Sequence, residues 1–294
     1  MIPPASYKKS SFGPAFFFLN KRRRQALAHY YEFCRLADDI ADEPNVLLPP
    51  EQALQELCQE IEYVYIGVPQ TELGHQLLQD VRDFNLAKDR VLLLMEGKHA
   101  DMQQKKYTPT DPAHPFAALD WYIYRVAVIV GKATLDILGV QGDKADELAQ
   151  TLGTAVQLTN IVRDIYEDAQ LDRVYVPCSL TPKEILSVQH IGIRMEANLN
   201  QEAQAGNSLA IRALTLKKTL QLCTQRAYEN YTRAFQLMDE FWPTTILPCR
   251  VMGYVYQKNL AKIEKTGFTF TRAIKLTKFE KIQAVCYALL KTLF

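Results

Sequence analysis

Apolar residues recur along most of this chain at intervals of three and four, the spacing that gathers them on one side of an α-helix. Between Lys21 and Asp42 the stripe is Leu27, Tyr30, Tyr31, Cys34 and Ala37, and Pro44 closes it. Comparable stripes predict helices near 51–66, 72–84, 87–104, 116–139, 144–169, 209–240, 248–265 and 275–292, with shorter ones within 182–206. Prolines cluster at 3–4, 14, 44–50, 109–115, 177–182 and 243–248. Helices are expected between those clusters, because proline has no N–H to donate and its ring collides with the preceding turn. Val126, Val128, Ile129 and Val130 are β-branched and fit a strand. Trp121, Tyr122 and Tyr124 before them and Leu135–Leu138 after them extend the apolar stretch to helical length, so a central helix buried on all sides is expected there. No fixed repeat, low-complexity tract or linker interrupts the pattern. The expectation is one all-α domain spanning residues 1–294.

Composition narrows the function classes. Thirty-four Lys and Arg against 33 Asp and Glu leave a net charge of +1, without the basic excess of a nucleic-acid-binding protein. The N-terminal MIPPASYKKSSFGPAFFFLNKRRR puts prolines ahead of its charges and has an apolar run only a few residues long, so it does not read as a signal peptide. No uninterrupted apolar stretch reaches the ~18 residues a membrane span needs. Cys34, Cys58, Cys178, Cys223, Cys249 and Cys286 are scattered without a CxxC pair, as reduced core thiols of a cytoplasmic protein would be. The five histidines fall at no metal-ligand spacing, and a catalytic zinc or iron site is not expected.

Two acidic helices carry the candidate chemistry. In Cys34-Arg35-Leu36-Ala37-Asp38-Asp39-Ile40-Ala41-Asp42, Asp38 and Asp42 project from one face a turn apart, with Arg35 beside them and Asp39 on another side. In Gln157-Leu158-Thr159-Asn160-Ile161-Val162-Arg163-Asp164-Ile165-Tyr166-Glu167-Asp168, Asn160, Asp164 and Asp168 form a ladder of oxygen donors at the same interval. Like charges one turn apart repel by a few tenths of a kcal/mol, so such pairs are a cost unless a cation compensates. Either motif alone reads equally as a solvated acidic face. Two of them, each inside an otherwise apolar helix, point to a hard cation. Magnesium commonly binds through one or two carboxylates plus phosphate oxygens of a substrate, which implies a diphosphate. Arg35, Arg163 and Arg173 lie in or just after these helices and can donate to phosphate oxygens, although each is also an ordinary ion-pair partner. Such a site suits ionisation of an allylic diphosphate. The carbocation left behind needs a dry cavity and π faces, for which Phe12, Phe16, Phe17, Phe18, Tyr30, Tyr31, Phe33, Tyr122 and Tyr124 are available, most of them equally serviceable as core packing.

These residues resemble the squalene and phytoene synthase family, the trans-isoprenyl diphosphate synthases that join two prenyl chains head to head. The resemblance covers nearly the whole chain. It runs through Ser10-Ser11-Phe12, the YEFCRLADDIAD helix, Tyr124-Arg125-Val126-Ala127 with Val130-Gly131, QLTNIVRDIYED with Arg173-Val174-Tyr175-Val176-Pro177, and Tyr256 followed by Leu260 and Ile263-Glu264. It implies an isoprenoid-synthase helical bundle around a central cavity, with Asp38, Asp42, Asn160, Asp164 and Asp168 holding Mg2+ ions that bridge the substrate diphosphates. It further implies diphosphate or substrate contacts at Ser10, Ser11, Phe12, Tyr31, Arg35, Gln157, Arg163, Arg173 and Tyr175, and near Arg272 after an alignment gap. Tyr124 and Tyr256 fall where the family has active-site tyrosines, the former tied to proton handling or ion stabilisation. Where the family usually has glycine between the second pair of aspartates, this chain has Tyr166, off the Asp164 and Asp168 face, so altered packing is expected there and metal binding is expected to survive.

Within the family, the compact length, the RVMGYVY segment and the NIVRDIYED form resemble the bacterial enzymes that condense two farnesyl diphosphates to presqualene diphosphate, on the way to squalene and hopanoids. Phytoene, dehydrosqualene and complete NADPH-dependent squalene synthesis are the alternatives. A non-enzymatic assembly protein of the same fold would be free to lose its aspartates, and all four are present. The stretch from Phe279 to Phe294 reads as a packed terminal helix or as a face touching the bilayer, which would make the protein peripheral to the inner face of the membrane. Downstream enzymes of the squalene pathway are further possible partners.

Overall fold

The computed structural model describes residues 18–42, 48–104, 106–111, 113–189, 196–268 and 270–293. Ser10, Ser11 and Phe12, with Phe16 and Phe17, lie outside them. Every regular element among the described residues is helical: α1 (Lys21–Asp42), α2 (Pro50–Ile66), α3 (Glu72–Phe84), α4 (Lys88–Met102), α5 (Ala117–Ile123), a π-helical turn (Tyr124–Val128), α6 (Ile129–Leu138), α7 (Asp143–Gln170), α8 (Pro182–Val188), α9 (Glu196–Gln204), α10 (Ser208–Met238), α11 (Pro243–Glu264) and α12 (Lys278–Leu293). None is long and apolar enough to cross a membrane.

Local chemistry sets several boundaries. Thr71 accepts the Gly74 N–H at the start of α3, and Thr181 and Glu184 form a reciprocal capping box on α8. α6 ends at Gly139, whose φ of 76° is a left-handed conformation open to glycine at little cost. The reversal there lays α7 back along α6. α7 also packs against α10, α11 and the π turn, while α1 packs on α2, α3, α4 and α6. At Gly153 a Cβ would stand 3.0 Å from Val128 Cα, so α7 meets the π turn almost backbone to backbone.

Two expectations are corrected. The stretch 116–139 is not one helix buried on all sides: it widens into the π turn, and of the residues in that turn only Val128 is buried. One side of it faces a cavity instead of side chains. α11 begins at Pro243, not near 248, and runs through Pro248. Pro243 sits in the first turn, where no N–H is needed. Pro248 denies a donor to Thr244, whose exposed position at the start of the helix keeps the loss small.

Candidate active site

A cavity of about 390 Å³ opens between α1, α4, the π turn with α6, α7 and α11. Its lining is graded by helical spacing. Along α1 it reads Leu27, Tyr30, Tyr31, Cys34, Arg35, Asp38, Asp42, and along α7 Leu148, Leu152, Val156, Asn160, Asp164, Asp168. On both helices the apolar residues come first and the carboxylates last. One end of the cavity is therefore acidic and the other greasy, and the 16 steps along the helix from Leu148 to Asp164 (164 − 148) rise about 24 Å at ~1.5 Å per residue.

The acidic end is interlaced with cations. Arg163 donates through Nε and Nη2 to both oxygens of Asp164, at 2.8 and 2.5 Å. Burial works against its charge, but the bond to Asp164 and that carboxylate's field more than offset this and hold the guanidinium above its ordinary pKa. Arg173 pairs with Asp42 and donates to the Ala41 carbonyl at 2.9 Å, which ties the segment after α7 to the end of α1. Arg35 pairs with Asp39 at 2.8 Å, and Asp39 is absent from the lining. Burial pushes the Asp168 carboxyl well above the usual carboxylate range, and the charge of Asp164 one turn away adds to it.

Deeper in the wall lies a network that spacing arguments missed. The Lys98 ammonium reaches Asp38 Oδ1 at 2.7 Å and Asp101 Oδ2 at 3.2 Å. Tyr175 donates to Asp101 Oδ1 at 2.7 Å and Tyr122 to Oδ2 at 3.2 Å, their rings stacked 4.9 Å apart. Burial raises both phenol pKa values, so these tyrosines stay protonated and act as donors. Lys98 and Asp101 sit three residues apart in LLMEGKHADM, a segment whose polar and apolar residues show no clear face; a lysine and an aspartate at that interval were the available signal.

The structure thus brings Tyr31, Arg35, Asp38, Asp42, Gln157, Asn160, Arg163, Asp164, Asp168, Arg173 and Tyr175 to one cavity. Three expected residues stand elsewhere. Tyr124 does not line it: it stands two residues from both Tyr122 and Val126, which do, and so faces the other way. The phenol that reaches the cavity from this stretch is Tyr122. Tyr256 is buried behind the wall, bonded to the Arg163 side chain. Arg272 is exposed between α11 and α12, beside Ala273, whose N–H donates to Glu167 at 3.1 Å. Tyr166 is buried off the aspartate face and donates to the Phe268 carbonyl at 3.1 Å, its ring edge-on to Phe270.

The donors suit a hard cation shared with a substrate. Asn160 Oδ1 is buried without a hydrogen-bond partner while its Nδ2 faces Gln157, which leaves an amide oxygen orphaned beside Asp164 and Asp168. Among the described residues no three His, Cys, Asp or Glu side chains converge on one point. A cation here would need further oxygens from a ligand, as magnesium does when it binds phosphates.

The sequence profile of the squalene/phytoene synthase family matches residues 6–280. The presqualene diphosphate synthase of Rhodopseudomonas palustris is 31% identical over 95% of this chain and 94% of its own. That of Sinorhizobium fredii is 34% identical over 94% and 93%. Squalene synthase HpnC from Alicyclobacillus acidocaldarius superposes with a TM-score of 0.70 at 23% identity, covering 90% of this chain and 91% of that one, a likeness of fold.

Proposed function

This chain belongs to the squalene/phytoene synthase family and is a prenyltransferase, and from that premise we propose that it condenses two farnesyl diphosphates head to head, giving presqualene diphosphate and free diphosphate. The observation that carries this reading is the graded cavity, with carboxylates and arginine forks at one end and an apolar channel behind them. The names of the two bacterial relatives support the product.

Asp38, Asp42, Asn160, Asp164 and Asp168 are the residues that would hold Mg2+. Bound there with a diphosphate, the metal supplies Lewis-acid neutralisation of the charge that builds on the departing oxygen. Arg163 and Arg173 are already oriented by Asp164 and Asp42, and they exchange a carboxylate for phosphate oxygens without leaving the cavity wall. The allylic C–O bond of the first substrate breaks and its electron pair leaves with the diphosphate. The double bond of the second substrate attacks the resulting cation, and loss of one proton closes the cyclopropane. The departing diphosphate takes that proton. Leu94, Leu135, Leu148 and Leu152 exclude water, and Tyr30, Tyr31 and Tyr122 present rings to the cation.

The test is incubation of the full chain with farnesyl diphosphate and Mg2+, with and without NADPH, and mass spectrometry of the extract. A phosphorylated C30 product regardless of NADPH is expected. Squalene only with NADPH, or a C30 hydrocarbon without it, would overturn the product assignment. Inertness of farnesyl diphosphate beside turnover of geranylgeranyl diphosphate would overturn the substrate.

A further inference from the structure

α12 returns along α11 in the opposite sense: Lys262 pairs with Glu280 at 2.8 Å, Lys258 with Gln283 at 2.7 Å, and Tyr254 meets Tyr287 edge-on. Ala284 and Ala288 face the core and are buried. The opposite side of the same helix carries Phe279, Ile282, Cys286 and Leu290 at intervals of three and four. All four are exposed, Phe279 at 68%, Ile282 at 59% and Leu290 at 55%. A surface helix normally keeps one apolar stripe for the core and turns polar groups to water, and this one has a second stripe.

The charge around it is equally uneven. From Lys258 to the end of the chain there are eight lysines and arginines against two glutamates, a local excess of six in a protein whose total is +1. Lys265, Arg272, Lys275, Lys278 and Lys291 are exposed. The antiparallel register carries the end of α12 toward the start of α11, where Trp242 is 73% exposed. An exposed apolar stripe on the most basic segment of the chain, with an exposed indole at the start of the neighbouring helix, is complementary to one environment, a bilayer surface with anionic headgroups above acyl chains. A second copy of this chain would bring equal positive charge against the same segment.

We propose that the outer face of α12 docks the protein onto anionic lipid, lying in the interface without crossing it. The inference does not depend on which prenyl product is made.

The test is co-sedimentation of the full chain with vesicles of phosphatidylcholine alone and of phosphatidylcholine with 30–40% phosphatidylglycerol, a composition range of about that order chosen to give a negative surface. Binding to the anionic vesicles, weakened by salt and reduced at least about tenfold in the triple variant Phe279→Glu, Ile282→Glu, Leu290→Glu, is expected. These side chains are exposed and outside the cavity, so the variant should keep its circular dichroism, melting temperature and detergent-phase turnover. Failure of the wild type to bind anionic vesicles, or equal binding by the triple variant, would overturn the proposal. So would a wild-type dimer in sedimentation equilibrium that the triple variant dissociates.

Discussion

Replacing Lys98 by methionine removes the one ammonium shared by Asp38 and Asp101 while keeping the length of the stem. Lys98 and Asp101 are 8% and 5% exposed. At their 3.2 Å separation the gross attraction is about 5 kcal/mol for an effective dielectric near 20. Stranding one member of a buried pair typically costs about 3–5 kcal/mol. Two things reduce that here: Asp101 keeps hydroxyl donors from Tyr175 and Tyr122, and the Asp38 side chain is 42% exposed and can be hydrated. The expected loss is therefore about 2–4 kcal/mol, or roughly 4–8 °C in melting temperature for a chain of this length. Urea unfolding at equilibrium measures it, with an unchanged slope against denaturant as the check that the denatured state is the same. Asp101→Asn in the Lys98→Met background should cost about 1.5 kcal/mol less than the two single changes added together, because the double variant leaves no buried charge uncompensated. A Lys98→Met loss below about 1 kcal/mol, or strict additivity in the cycle, would refute the claim that this network is held together by charge.

Gly153→Ala should destabilise by about 1–3 kcal/mol, since the new methyl meets Val128 backbone atoms near 3.0 Å that cannot rotate away; a melting curve decides it. Asp164→Ala should abolish turnover while the chain still melts cooperatively, at a temperature lowered by the loss of Arg163's partner, because a carboxylate at the cavity edge acts mostly on the transition state. Near-normal activity of that variant would remove the metal assignment. Burial pushes the Cys249 thiol up to about 12, so at pH 8 only about one molecule in 10⁴ carries the reactive thiolate, a fraction that rises about tenfold per pH unit. Native alkylation followed by peptide mapping should therefore label exposed Cys286 long before Cys249. Leu135 lines the greasy end of the main cavity and also a second cavity bordered by Arg90, Lys132, Asp136 and Asp146. Leu135→Ala should join the two, cost about 2–4 kcal/mol and raise turnover of a C20 diphosphate relative to a C15 one, read from product masses.

Periodicity by itself determined where most helices lie, because the three-to-four spacing of apolar residues and the proline, glycine and threonine boundaries are local: α1, α3 and α10 fall within two residues of their expected ends. The same arithmetic put Asp38 with Asp42, and Asn160 with Asp164 and Asp168, on single helix faces, a relation that holds in any tertiary setting. What lies across from a face is a different matter. Only packing decided that Tyr122 and not Tyr124 looks into the cavity, since both tyrosines stand between apolar neighbours and the few charges of the stretch, Asp120, Arg125, Lys132 and Asp136, do not say which of the two faces a cavity. Only packing brought Lys98 and Asp101 from α4 to Asp38 of α1 and Tyr175 beyond α7, set Tyr256 behind Arg163, and left Arg272 outside. Those are contacts between residues 60 (98 − 38) to 93 (256 − 163) positions apart. A helical repeat carries no information about them, because it fixes angles around one axis and says nothing about which second axis lies alongside.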